Sequence, residues 1–134
     1  MSLKAIKLAQ RSSERQRQVI GELEALVKSI ERGEKMIVDL KAELEAVNVE
    51  HQDRKTTRDD VAYLEALLRC AKKKLVWEKQ MAALQKRTPI VLAEVSDLLN
   101  DTRHSPNEET RASLLRSLQA VQAAMHRLEL VKVE

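Results

Sequence analysis

Apolar residues and one glycine recur at alternating steps of three and four in the first third of the chain. The series contains Val19, Leu23, Leu26, Ile30, Gly33, Ile37, Leu40, Leu44 and Val47. This spacing places them on one face of an α-helix that packs against another helix. Smaller residues continue the phase toward the N-terminus, namely Ala5, Ala9, Ser12 and Gln16. The pattern predicts a first helix over about residues 3 to 49, roughly 70 Å long at ~1.5 Å per residue.

The apolar series stops at residues 48–60, which read NVEHQDRKTTRDD. Continuing it would place three polar side chains at the helix contact, those of His51, Arg54 and Arg58. Thr56 and Thr57 are candidate N-caps for a new helix, because each is followed by an aspartate three residues later. We therefore predict a turn between two antiparallel helices. One continuous helix in a dimeric coiled coil is the alternative, since neither glycine nor proline interrupts the segment.

A second helix is predicted over about residues 58 to 102, with two apolar series on neighbouring faces. One series contains Val61, Leu64, Leu68, Ala71 and Leu75. The other contains Leu67, Cys70, Trp77, Met81, Leu84, Val91, Val95 and Leu98. Two such series are typical of a helix that packs against two neighbours. Pro89 removes one backbone hydrogen bond, and we expect a kink there instead of a helix end because the second series resumes at Val91.

A turn centred near residue 54 would set the register of this hairpin. The facing pairs would then be Val47 with Val61, Leu44 with Leu64, and Leu40 with Leu68. Gly33 would fall near Leu75 and Trp77, where its missing side chain leaves room for a large residue. A glycine inside a helix costs about 1 kcal/mol relative to alanine, so we expect such a compensating contact.

The sequence around Ser105 and Pro106 predicts the start of a third helix. Ser105 is a candidate N-cap, Pro106 suits the first helical position, and Glu108 completes a capping box. This helix is expected over about residues 106 to 131, with an apolar face of Leu114, Leu118, Val121, Met125 and Leu128. The predicted fold class is all-α: one three-helix bundle over residues 1–134, made of a long antiparallel hairpin and a shorter third helix.

The composition agrees with packed helices and includes few residues suited to catalysis or to cofactor or metal binding. The 134 residues include no phenylalanine, two glycines and two prolines, which is unlike a many-stranded fold. There is no glycine-rich phosphate loop, and no histidines stand at the spacing of a helical metal pair. We therefore expect neither catalysis nor a cofactor or metal. Four residues of types that often occur at functional sites are assigned to packing, namely Cys70, Trp77, Met81 and Met125.

The targeting signals that the sequence lacks bear on location. No apolar run is long enough to cross a membrane, and no secretory leader pattern precedes the helices. The single cysteine excludes an internal disulfide. These features predict a cytoplasmic protein that does not associate with a membrane.

The net charge is only +3, but the basic residues are clustered. Four near the N-terminus recur at helical spacing: Lys4, Lys7, Arg11 and Arg15. Six more belong to the second helix: Arg69, Lys72, Lys73, Lys74, Lys79 and Lys86. In the predicted hairpin, Arg32 and Lys35 would lie beside residues 72–74. Two interpretations stay open. One is a solvated face balanced by Glu31, Glu34 and Glu78, and the other is a salt-sensitive surface for an acidic partner.

Three short segments resemble the tubulin-binding cofactor A family of tubulin-folding chaperones. KAIKLA at residues 4–9 is similar to the family's opening element, EKQMAALQ at 78–85 to its Lys-Gln-x-x-x-Leu-Gln segment, and LELVKVE at 128–134 to its C-terminal end. The resemblance implies a three-helix protein, monomeric or weakly dimeric, that transiently binds β-tubulin monomer without nucleotide or metal. The acidic C-terminal tail of tubulin is then the expected target of the basic residues, and the protein would be associated with the cytoskeleton.

A second resemblance competes with the first. Residues 58–86, which include the sequence Trp-Glu-Lys, look like a segment of long axonemal coiled-coil proteins. The alternative function is therefore a structural coiled-coil subunit of a ciliary or other cytoskeletal complex. Nucleic-acid binding is a distant third hypothesis, because no aromatic residues are interleaved with the basic ones.

Overall fold

The computed structural model describes residues 2–53 and 57–133 and consists of three α-helices in an up-down-up bundle. Helix α1 spans Leu3–Asp53, α2 spans Thr57–Leu99, and α3 spans Glu108–Val133. Helix α1 packs extensively against both α2 and α3, whereas α2 and α3 contact each other at few positions. The predicted all-α three-helix bundle is confirmed.

Polar contacts between α1 and α2 show that these two helices run in opposite directions. The Trp77 indole donates a hydrogen bond to the Gly33 carbonyl at 2.8 Å, and the Tyr63 hydroxyl donates to Asn48 Oδ1 at 2.5 Å. Because residue numbers rise along α1 as they fall along α2, the two helices are antiparallel. The alternative of one continuous helix is therefore wrong, although the predicted turn centre at residue 54 lies outside the described residues.

Helix α1 continues through residues 48–53, where we predicted a break. Its polar side chains are accommodated at the end of the hairpin instead of ending the helix. The ring of His51 lies 3.7 Å from that of Tyr63, and His51 Nε2 is 3.9 Å from Asp60 Oδ1. These contacts explain why the loss of apolar spacing did not end the helix.

The apolar series of α1 from Val19 to Leu40 and the second series of α2 from Cys70 onward form the core, as predicted, whereas Leu44, Val47 and Leu67 lie outside it. One cluster joins all three helices: Val19, Leu23, Leu26, Ile30, Val91, Val95, Leu98, Leu114, Val121 and Ala124. A second, smaller cluster contains Ile37, Leu40, Cys70, Trp77 and Met81. Cys70 and Trp77 are thus packing residues, as the apolar spacing indicated.

The first apolar series of α2 does not belong to the core, contrary to the prediction. Val61, Leu64, Leu68 and Leu75 expose between 52% and 65% of their surface. The predicted facing pairs therefore do not form a buried contact, and Leu44 is itself exposed. Helix α2 presents Cys70 and Trp77 to α1 instead, which turns the first series away from α1.

Gly33 makes room for large side chains, as predicted, but the neighbours are Trp77 and Met81 and not Leu75. A Cβ atom added at Gly33 would lie 2.8 Å from the Met81 sulfur and 3.8 Å from Trp77 Nε1. The close approach also brings the Gly33 carbonyl within reach of the indole N–H. The glycine therefore supports a helix-to-helix contact that no other residue allows without movement of Met81.

Pro89 lies inside α2, which continues to Leu99. The hydroxyl of the preceding Thr88 donates to the Leu84 carbonyl at 2.7 Å. Hydroxyls bonded to the carbonyl four residues earlier often bend helices. The kink itself stays a prediction.

The α2–α3 connection is fixed by Asp101 and Asn107. The backbone N–H groups of His104 and Arg103 lie 3.1 and 2.9 Å from Asp101 Oδ1, and their hydrogen bonds lower the pKa of that carboxyl. Asn107 Oδ1 accepts from the Thr110 N–H at 2.8 Å, so Asn107 is the N-cap of α3.

The capping box predicted at Ser105 is therefore wrong. The Ser105 hydroxyl donates to the Asp101 carbonyl at 2.8 Å and caps nothing in α3. Pro106 precedes the cap and is buried. Asparagine is as good an N-cap as serine. Ser105 is held in the turn that Asp101 stabilises, through its hydrogen bond to the Asp101 carbonyl.

Candidate partner-binding surface

The ten basic residues singled out from the sequence are all exposed, but they form two separate groups. Lys4, Lys7, Arg11 and Arg15 lie on the first turns of α1, and the other six lie on α2. Lys73 contacts Glu43 of α1, and residues 11 and 43 are separated by about 48 Å of helix at ~1.5 Å per residue. At their near ends the groups approach each other: because Trp77 lies opposite Gly33, Lys86 lies opposite about residue 24, roughly 14 Å of helix from Arg15.

Lys73 is engaged within the bundle. Its Nζ lies 2.7 Å from Glu43 Oε2, and this ion pair joins α2 to α1. Lys72 and Lys73 also line a shallow groove with Asp39 and Glu43. The acidic residues beside this lysine cluster are therefore on α1, at positions the sequence analysis did not select.

Two of the three predicted counter-charges, Glu31 and Glu34, have other partners. Glu34 Oε2 lies 3.4 Å from Arg127 Nε, and Glu31 Oε1 lies 3.9 Å from Arg127 Nη2, so both connect α1 to α3. Arg32 does not lie beside residues 72–74. It lines a groove with Gln80, Met81 and Arg87, because Gly33 is opposite Trp77 and the register places Arg32 further along α2.

Three lysines of α2 form a row, and Lys72 at one end of it also lines the groove with Asp39 and Glu43 of α1. Lys72, Lys79 and Lys86 are spaced seven residues apart, which on a helix is one face. Among the described residues, none of the three takes part in an ion pair. We call this set the outer lysine row. Arg69 and Lys74 are exposed on other sides of the helix, so the α2 group is not one patch.

Beside the outer lysine row lies the apolar series that the sequence analysis assigned to the core. We call Val61, Leu64, Leu68, Ala71 and Leu75 the α2 stripe. Helical geometry places it roughly 140° around α2 from the core residues Cys70 and Trp77, at 100° per residue. The length of the third helix was the sequence signal that part of the hairpin surface would stay exposed, since 26 residues cannot cover a hairpin whose arms have 51 and 43.

The other basic group lies where α1 extends past the bundle. Gln16 is buried and its Nε2 donates to the His104 carbonyl at 3.0 Å. Before that point Leu3, Ile6 and Leu8 are exposed together with the basic residues. Lys4, Lys7 and Arg11 line a shallow depression with Leu3 and Leu8. This end is a second basic surface, distinct from the outer lysine row.

Groups suited to catalysis or metal binding are not assembled in the described part of the chain. No three His, Cys, Asp or Glu side chains there are placed to hold a metal ion. His51 and His104 lie at opposite ends of the hairpin, and Cys70 is buried. Across the same residues, no helix combines the length and apolar character needed to cross a membrane.

On α2, exposed cationic and apolar side chains lie side by side. Comparison with models of protein families, with curated proteins and with solved structures finds no match for this chain.

Proposed function

We propose that this chain is a non-catalytic helical chaperone that captures β-tubulin during assembly of the α/β-tubulin dimer. The observation that carries the proposal is the outer lysine row, whose three cations lie beside the exposed Leu68 and Leu75. Such a face fits a partner segment that presents carboxylates and apolar side chains together. The resemblance of EKQMAALQ to a tubulin-folding cofactor supports the choice of tubulin, and on the same ground we propose a cytoplasmic location in association with the cytoskeleton.

The proposed mechanism is electrostatic attraction followed by contact. The three lysines, which are in no ion pair among the described residues, attract an acidic, flexible tail over about a Debye length, roughly 8–10 Å in physiological salt. Exposed apolar side chains then contribute the short-range part of the binding energy. Capture of this kind is reversible and weakens as ionic strength rises, and it requires neither nucleotide nor metal.

The alternative function, a coiled-coil subunit of an axonemal or other cytoskeletal scaffold, is favoured by one observation. The α2 stripe keeps the spacing of a coiled-coil contact while lying exposed. The folded hairpin nevertheless differs from the extended helix that such a scaffold would use, so tubulin capture is our primary proposal.

Two triple variants with the same change in charge test the proposal. Replacing Lys72, Lys79 and Lys86 with glutamine is expected to weaken binding to purified tubulin about tenfold at low ionic strength. Replacing Lys4, Lys7 and Arg11 with glutamine is the matched control and should leave affinity within a factor of about two. Lys73 is left unchanged because its loss would also remove the ion pair with Glu43.

Binding is measured by fluorescence anisotropy over a series of salt concentrations, with intact tubulin and with tubulin lacking its acidic tails. The affinity difference between the outer-row variant and the natural chain should disappear at high salt and with tail-less tubulin. Equal affinity of the natural chain and the outer-row variant at low salt would refute this binding surface. No binding of the natural chain would refute tubulin as the partner.

A further inference from the structure

The α2 stripe has the pattern of a coiled-coil contact without a partner. Val61, Leu68 and Leu75 occupy a positions of a heptad, and Leu64 and Ala71 occupy d positions. The four larger residues are more than half exposed, and Glu78 ends the series at the next d position. The chain therefore carries two heptads of an a/d seam on its surface.

Charges beside the seam disfavour pairing with a parallel copy. In a parallel pair, each g position lies beside the e position five residues later on the other helix. Asp60 would then meet Glu65 of the second copy, and Lys74 would meet Lys79 of the second copy. Both contacts are between like charges, and each would occur twice by symmetry.

In an antiparallel pair, Glu65 gains an attractive contact instead. Packing a positions against d positions about the midpoint of Leu68 and Ala71 places Leu64 beside Leu75 of the second copy. The e positions then face each other, and Glu65 lies beside Lys72 of the second copy. Because the pair is symmetric, this contact occurs twice. Glu65 and Lys72 are both exposed, and neither is in an ion pair within the described residues.

We propose that a second copy of this chain covers the α2 stripe, in an antiparallel pair centred between Leu68 and Ala71. The inference rests on the stripe and its flanking charges and does not depend on tubulin as a partner. Two heptads are a short contact, so the pair is in equilibrium with the single chain and forms as concentration rises. Lys72 belongs to both surfaces, so self-association and capture of an acidic partner compete.

Charge reversal at Glu65 and Lys72 tests the pairing and its orientation. Sedimentation equilibrium of the natural chain should give a mass that rises from one chain toward two as concentration increases. Glu65→Lys and Lys72→Glu should each keep the mass near one chain, because each creates two repulsive contacts. The double variant exchanges the two charges and should restore association to within a factor of about two.

A second pair of variants tests the apolar seam. Leu68→Gln should abolish the rise in mass, whereas Ile90→Gln should not, although Ile90 is 61% exposed on the same helix. Thermal unfolding at a concentration where the chain is single should be unchanged for both. A natural chain that stays single at every concentration, or single charge variants that associate as it does, would overturn the proposal. Glu65→Lys retains every lysine, so its effect on association is independent of the tubulin test.

Discussion

Replacing Leu114 with alanine is expected to lower the free energy of unfolding by about 2–5 kcal/mol, because it leaves a cavity that the neighbouring helices cannot fill. Leu114 of α3 is fully buried and joins the cluster that connects all three helices. Chemical denaturation followed by far-ultraviolet circular dichroism measures the effect.

Leu115 is the matched control, since it is the same residue type one position later and is 40% exposed. Leu115→Ala should change the free energy of unfolding by no more than about 0.5–1 kcal/mol. Equal losses for the two variants would mean that α3 does not present Leu114 to α1 and α2.

Replacing Gly33 with leucine is expected to destabilise the bundle by about 1–3 kcal/mol through overpacking. The new side chain would occupy the space of the Met81 thioether and push the Trp77 indole away from the Gly33 carbonyl. Trp77 is the only tryptophan, so its emission should shift to longer wavelength as the ring becomes solvated.

Gly21 provides the control because nothing lies within 4 Å of a Cβ added there. Gly21→Ala should raise the free energy of unfolding by up to about 1 kcal/mol, which is the difference in helix propensity. If Gly33→Leu were as stable as the natural chain with unchanged tryptophan emission, the close contact at Gly33 would be incorrect.

The helices and the core face of α1 could be predicted from the sequence because their signal is local. Spacing of three and four from Val19 to Leu40 identifies the buried face whatever the partner helix is. The use of Gly33 was also predictable, since a glycine in the middle of an apolar series needs an opposing large residue. The exact neighbour was not, because Met81 and Leu75 lie on different faces of α2 and only the rotation of α2 on α1 decides which one faces Gly33.

Whether the α2 stripe is buried or exposed could not be predicted from local spacing. Leu64 and Trp77 both satisfy helical periodicity, and only the rotation of α2 on α1 decides which is buried. The close approach at Gly33 favours Trp77, whose indole finds a carbonyl there. Once that rotation is fixed, the shorter α3 leaves Leu64 and Leu68 exposed, so the candidate surface follows from tertiary packing.

The N-cap of α3 shows a similar limit. Serine and asparagine are both good N-caps. Asn107 is the cap here because the Ser105 hydroxyl donates to the Asp101 carbonyl instead. The charged groups show the same limit: the sequence singled out the basic residues of α2, but the pairing of Lys73 with Glu43 depends on the hairpin register.

The central claim is that the outer face of α2 is the surface that binds tubulin. Incorporating a photo-crosslinking amino acid at Leu75 of α2 or at Val38 of α1 tests it most directly, because the two residues are 52% and 47% exposed. Irradiation in the presence of purified tubulin, followed by identification of the crosslinked chain, is the measurement. We predict an adduct with β-tubulin from position 75 and none from position 38. Equal adducts from both positions, or an adduct from position 38 alone, would contradict the account.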